Sequence, residues 1–216
     1  MQLQGKSSRD LNGLKGGRRF PQRRQASVWK PTPTQLFGAG LLVLAALAVY
    51  WTSLGTAFVF DDIPAIERNA TIRLLWPPWP ALNPPNDGSG VSGRPLVNLS
   101  LAVNYALGGQ QVRGYHLANT TLHALAALTL WGLLRRTLLI GGAVPQPGSE
   151  FLTWICTLLW TVHPLLTESV VCVVQRNEIL GSLFYLQTLY TFTRGVSAAR
   201  EAGMSAPSGG APSESW

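Results

Sequence analysis

The sequence predicts an all-α membrane protein with about four transmembrane helices and an external loop that carries an interfacial helix. Three observations lead there. Apolar stretches recur that approach the ~20 residues a helix needs to cross hydrocarbon. Arginines follow the second and fourth of them, as expected where the chain returns to the cytoplasm. And eight of the 17 basic residues precede Pro31, directly ahead of the first apolar stretch.

Those eight are Lys6, Arg9, Lys15, Arg18, Arg19, Arg23, Arg24 and Lys30, opposed only by Asp10. Residues 1–34 are otherwise rich in Gly, Ser and Gln without apolar periodicity, which reads as a disordered arm. Such an arm suits nucleic acid. Its continuity with an apolar span instead favours cytoplasmic anchoring by the positive-inside rule, with no nucleic-acid partner.

The first span covers about 36–55. A signal peptide is the alternative, with Gly55-Thr56-Ala57 as a weak cleavage site. The long arm and the length of the run favour an uncleaved anchor. The external loop, 56–114, is too apolar for a linker and too broken by proline for one helix. Trp76-Pro77-Pro78-Trp79-Pro80 and the stretch 83–90 (NPPNDGSG) signal turns. Trp76 and Trp79 suit a headgroup-level aromatic belt. Within the loop, Arg94–Leu107 reads as a helix stopped by Gly108 and Gly109. Arg94, Asn98, Ala102 and Tyr105 fall on one face and Leu96, Leu99, Val103 and Leu107 on another, a pattern for a helix on the membrane surface or against other helices.

The second span, about 115–134, ends at Arg135 and Arg136. A Gly/Pro-rich loop leads to a third span, about 151–174, which bends at Pro164. The fourth, about 177–193, ends at Arg194, and a Ser/Pro/Gly-rich tail, 195–216, reads as disordered. Both termini are then cytoplasmic, and Asp61, Asp62, Glu168 and Arg176 fall at the outer side. Cys156 and Cys172 lie in apolar stretches with no metal or redox spacing.

Asp61 and Asp62 admit two readings. They form a turn and cap before Pro64, or one is a general base or metal ligand whose pKa the low dielectric beside lipid tunes. Successive helical positions diverge by about 100 degrees, so one acid acts while the other caps or orients. His116, Asn119 and His123 share one helical face. They line a polar cavity or make the helix–helix hydrogen bonds common in membranes. A zinc site lacks an obvious third ligand. Glu168 and Arg176, eight residues apart, lie about two turns apart on one face. They meet an anionic substrate group or form a buried ion pair. Arg94 and Arg113 are further phosphate candidates. Three sequons begin at Asn69, Asn98 and Asn119.

The segments FDDIPAIERN (60–69), RPLVNLSLAVNYALGG (94–109), GYHLANTTLHALAALTLWGLLRR (114–136) and HPLLTESVVCVVQRNEILGSLFYLQTLYTF (163–192) occur in this order. Together they resemble the N-terminal membrane region of the transmembrane, tetratricopeptide-repeat O-mannosyltransferases and their bacterial relatives. The pattern HPxxTExVxxVxxR with the upstream FDD and RPL is the most specific part, and the stretch VVQRNEILGSLFYLQTLY is more similar to the bacterial branch. The resemblance implies a GT-C fold and a polyprenyl-phosphate sugar, typically mannose, as donor. It also implies a protein Ser or Thr outside the cytoplasm as acceptor, and Asp61 or Asp62 as the base. Arg94 or Arg176 would balance the leaving phosphate. No other cofactor is implied, and a divalent metal is left open. Such enzymes have more spans, followed by repeats, so the expectation is a truncated or split product. Further helices or a repeat protein encoded nearby would be its partners, and the bacterial inner membrane its location. A non-catalytic membrane scaffold is the alternative, and a small transporter a third reading.

Overall fold

The computed structural model describes residues 32–141, 145 and 147–204; the basic arm and the last twelve residues of the tail lie outside them. The described residues are helical, with no strand among them. Four elements form the bundle: α1 (Pro33–Tyr50), α4 (Val112–Gly141), α5 (Gly148–Thr161) and α7 (Arg176–Met204). Between them lie the short helix α2 (Trp79–Leu82), the loop helix α3 (Pro95–Gly108) and the single turn α6 (Thr167–Val171).

The direction of each helix follows from its contacts. Tyr50, at the end of α1, packs edge-on against His123 of α4, and Trp160 of α5 stacks on the same imidazole. At the other end Gly38 of α1 lies where a Cβ would enter the Trp154 ring of α5. So α1 and α5 run parallel to each other. Arg135 of α4 binds Glu150 of α5 at 2.7 Å, and Arg176 and Tyr190 of α7 meet Asn119 and Gly132 of α4. So α4 runs antiparallel to α5 and parallel to α7. The chain passes up, down, up and down.

Two helices are long and apolar enough to cross a membrane: α1 with its 3₁₀ extension, Pro33–Gly55, and α4 over Val112–Leu138. A third candidate is the pair Gly148–Thr161 and Pro164–Val171, bent by 47°. The break falls at His163, whose Nδ1 accepts the Leu165 N–H at 3.2 Å and caps the turn begun by Pro164. The fourth predicted span is helical, but α7 lacks the apolar composition of the others. Its helix also runs ten residues beyond Arg194, to Met204, where the composition suggests a disordered tail from 195. Ala198, Ala199, Arg200, Glu201 and Ala202 are strong helix formers, and they carry it on.

Hydroxyls inside the bundle bond to their own helix. On α5, Thr153, Thr157 and Thr161 each donate at 2.8 Å to the carbonyl four residues back, and all are buried. On the exposed face of α7, Thr188 and Thr191 also donate to the carbonyl four residues back. This lets polar residues sit where no water serves them.

The loop after α1 is a folded unit, where the sequence suggests turns around one interfacial helix. Phe58, Ala65, Ile66, Ile72, Ala81 and Val91 form one core with Val97, Leu101 and Ala102 of α3. Tyr115, Val173 and Val174 join that core and seat it on the bundle. The inward face of α3 therefore holds Asn98 and Ala102, while Leu96, Val103 and Leu107 point outward, the last 82% exposed. Phe60, Trp76 and Trp79 are exposed on the same unit.

Candidate functional site

The two aspartates part company. Phe60 takes φ +46, a conformation side chains with a Cβ rarely adopt. It turns the chain so that Asp61 is exposed and Asp62 is 1% exposed. Asp62 holds the cap position of the turn Ile63–Glu67, yet its side chain makes no capping bond. Its Oδ1 instead accepts the Val174 N–H at 2.7 Å, and Oδ2 accepts the Val59 N–H at 3.5 Å. The Cys172 thiol points at Oδ1 from 3.7 Å. Asp62 thus pins the acid loop to the segment between α6 and α7.

That segment is where the expected geometry fails. Glu168 and Arg176 are not two turns of one helix. The helix stops at Val171, Cys172 is extended at ψ 115, and a 3₁₀ turn, Val173–Gln175, precedes α7. The interruption strands carbonyl groups of a Val-rich stretch, and Asn119 collects them. Its amide donates to Val170, Cys172 and Val173 carbonyls at 3.3, 3.5 and 3.4 Å. Its Oδ1 then accepts from Arg176 Nε at 2.7 Å.

Arg176 is 1% exposed. Its Nη1 donates to the Ser100 carbonyl of α3 at 3.1 Å and its Nη2 to the Tyr115 carbonyl of α4 at 3.2 Å. The Tyr115 ring lies 5.9 Å from the guanidinium carbon. Glu168 is exposed, and among the described residues it makes no ion pair with Arg176. Arg94 is exposed at the start of α3 and donates Nη1 to the Gly90 carbonyl at 2.7 Å. Arg113 is exposed at the start of α4.

The histidine face is wholly buried, and each member ends on a different segment. His116 Nε2 meets the Thr56 carbonyl at 2.9 Å, and His123 Nε2 meets the Thr161 carbonyl at 2.9 Å. With Asn119 between them, α4 holds the exits of α1 and α5 and the start of α7. A small crevice below, with a volume of about 30 Å³, is lined by His123, Trp160, Ser169, Glu178 and Ser182 among others. Among the described residues no three of His, Cys, Asp and Glu cluster as a metal would need.

Two asparagines of the sequons join α3 to the loop. Asn69 donates to Asn98 Oδ1 at 2.8 Å, and Asn98 donates to Thr71 Oγ1 and the Ala81 carbonyl, each at 2.8 Å. All three sequon asparagines are buried in the folded chain. The signal for this role was present in the sequence, since amides within an apolar helix face need partners.

A helical membrane protein with an acid-bearing loop folded onto the ends of its helices is the class these features define. Comparison with known proteins narrows it. The chain is 33% identical to mouse protein O-mannosyl-transferase TMTC3 over 163 residues, 71% of this chain and 16% of the relative. It is 35% identical to human TMTC2 over 166 residues, 70% of this chain and 18% of the relative. It is 30% identical to human TMTC1 over 187 residues, 83% of this chain and 20% of the relative. The chain belongs to this family of transmembrane O-mannosyl-transferases. It spans about a fifth or less of the length of these relatives. No family model matches it, and no solved structure does.

Proposed function

We propose that this chain is the acid-loop portion of a GT-C glycosyltransferase that moves mannose from a polyprenyl-phosphate carrier to a protein Ser or Thr. The membrane is crossed four times, with α7 as the fourth crossing, the acid loop outside and both termini in the cytoplasm. The alternating helix directions support this, and so do the arginines at the far ends of α4 and α7.

Asp61 is the base. The observation that carries this is the contrast with Asp62, which is buried and held by the buried Val174 N–H, while Asp61 faces solvent. Asp61 takes the proton of the acceptor hydroxyl as that oxygen attacks the anomeric carbon with inversion. The bond to the lipid phosphate breaks on the opposite face, and the phosphate leaves with the electron pair. Arg94, which is exposed, balances the phosphate charge. Arg176 has its donors committed to Asn119, Ser100 and Tyr115 and serves as the structural cation.

The test is mannose transfer from polyprenyl-phosphate mannose to a Ser/Thr peptide in membranes carrying this chain. Asp61→Asn is expected to lower transfer about 10²- to 10⁴-fold, the span typical of general-base catalysis, at unchanged protein level. Transfer unaffected by Asp61→Asn would remove the assignment. The second reading is a membrane scaffold, favoured by the way His116, Asn119, His123 and Arg176 all end on main-chain carbonyls. Absence of transfer by the unmutated chain, with the protein present in the membrane, would mean that these helices are an incomplete enzyme or a scaffold.

A further inference from the structure

The far end of the bundle carries a charged cluster that the acid loop does not use. Gly132 of α4 packs against Tyr190 of α7 so closely that a Cβ there would lie 3.1 Å from the ring. One turn earlier on α7, Gln187 donates to Thr129 Oγ1 at 3.2 Å, which fixes the register of the two helices. Arg136 and Arg194 stand four residues after Gly132 and Tyr190, so each emerges one turn beyond this contact. Because α4 and α7 are parallel, they emerge at one level. Their guanidinium carbons lie 5.8 and 6.0 Å from the centroid of the same Tyr190 ring.

Two cations beside one ring repel each other, and no carboxylate whose side chain is described pairs with either. The neighbouring Arg135 differs, being bound to Glu150. Phe192 and Phe151 are exposed at this end of the bundle, at 68% and 70%. The arrangement is a pair of guanidinium groups around one aromatic ring, beside apolar surface at the end of two packed helices. Guanidinium forks bind phosphate oxygens in pairs, and basic pockets between transmembrane helices take phospholipid headgroups.

We propose that Arg136, Arg194 and Tyr190 form a binding site for the phosphodiester headgroup of an anionic membrane phospholipid, with its acyl chains lying along Phe192 and the adjacent helix surfaces. The site is independent of the transferase reading. Phosphate oxygens accept from both guanidinium groups, and the Tyr190 ring holds the two side chains in place.

The test uses the full chain purified in neutral detergent, with retained lipid measured by native mass spectrometry. Phosphatidylglycerol and phosphatidylcholine are offered in competition. Preferential retention of phosphatidylglycerol is expected. Arg136→Gln with Arg194→Gln should weaken it on the order of thirtyfold, given the worth of each basic residue near an anionic lipid. Arg135→Gln should change it by less than about threefold, since Glu150 already neutralises that charge. Replacing both arginines by lysine keeps the charge and the fold but loses the fork, and an intermediate loss of about fivefold is expected. Equal retention of the two lipids would overturn the proposal. So would an undiminished preference in either double variant, or an Arg135→Gln loss as large as that of the double Gln variant. Full displacement by millimolar inorganic phosphate would assign the seat to a free anion and overturn the lipid assignment.

Discussion

At the level of single residues, adjacent carboxylates in one turn do unlike work because a single backbone dihedral separates them. Phe60 at φ +46 sends one acid inward and leaves the other out. Asp62 is held by a 2.7 Å charge-assisted bond to a buried N–H. Its loss leaves that donor unpaired, so Asp62→Ala is expected to destabilise the chain by about 2–4 kcal/mol. Asp62→Asn keeps an acceptor and should cost about 1 kcal/mol. Asp61→Ala touches no bonded side-chain group and should stay within about 0.5 kcal/mol. Thermal unfolding in one detergent compares the three, and an Asp61→Ala loss equal to that of Asp62→Ala would reverse the roles. Arg176 follows the same logic. A buried guanidinium that satisfies carbonyls from α3 and α4 together with the Asn119 side chain is a junction between elements.

Among the elements, the loop is coupled directly to the break before α7. Gly90 lies where a Cβ would come within 2.3 Å of Val174 Cγ2, and the Val174 N–H is the donor that holds Asp62. Gly90→Ala must displace Val174, at a cost of about 1–3 kcal/mol. Val174→Ala in the same chain should restore most of that loss, a non-additivity that a double-mutant cycle reads directly. Additive losses would show that the two segments do not press on each other. Much of this level was legible in the sequence. The α3 helix, its stop at Gly109, the bend near Pro164 and the shared face of His116, Asn119 and His123 all follow from local pattern. What local pattern does not carry is the break between Val171 and Arg176, since an apolar Val-rich run suits a continuing helix as well as an extended turn. The difference is made by Asn119, more than fifty residues away, which supplies donors to the carbonyls the break exposes. For the same reason the sequence leaves Asp61 and Asp62 equivalent. The partner that separates them, Val174, lies over a hundred residues along the chain.

For the whole molecule, the central question is whether α7 crosses the membrane, because its composition alone does not require it. In the proposed topology it does, and the packing supports that reading. α7 lies parallel along α4, from the Arg176–Asn119 bond at one end to the Tyr190–Gly132 contact at the other. At 1.5 Å per residue, the interval from Arg176 to Tyr190 covers roughly 20 Å, most of a hydrocarbon layer of about 30 Å. Thr188 and Thr191, both exposed, bond their hydroxyls to their own helix, and Gln187 bonds across to Thr129, so these polar side chains have partners within the protein. On the proposed topology, a helix held beside α4 over this length shares its depth, and every connection then has a fixed sidedness. Asn86, in the acid loop, and Gly148, at the start of α5, are both exposed and lie at opposite ends. In a background of Cys156→Ala and Cys172→Ala, single Asn86→Cys and Gly148→Cys variants are labelled with a membrane-impermeant maleimide in intact cells or sealed vesicles. Asn86→Cys should react from one side only, and Gly148→Cys only after the membrane is opened. If both react from the same side, α4 does not cross, and the parallel α7 loses its claim with it. Thr193→Cys and Asn177→Cys then test α7 itself, and opposite accessibility of these two is the outcome the packing requires.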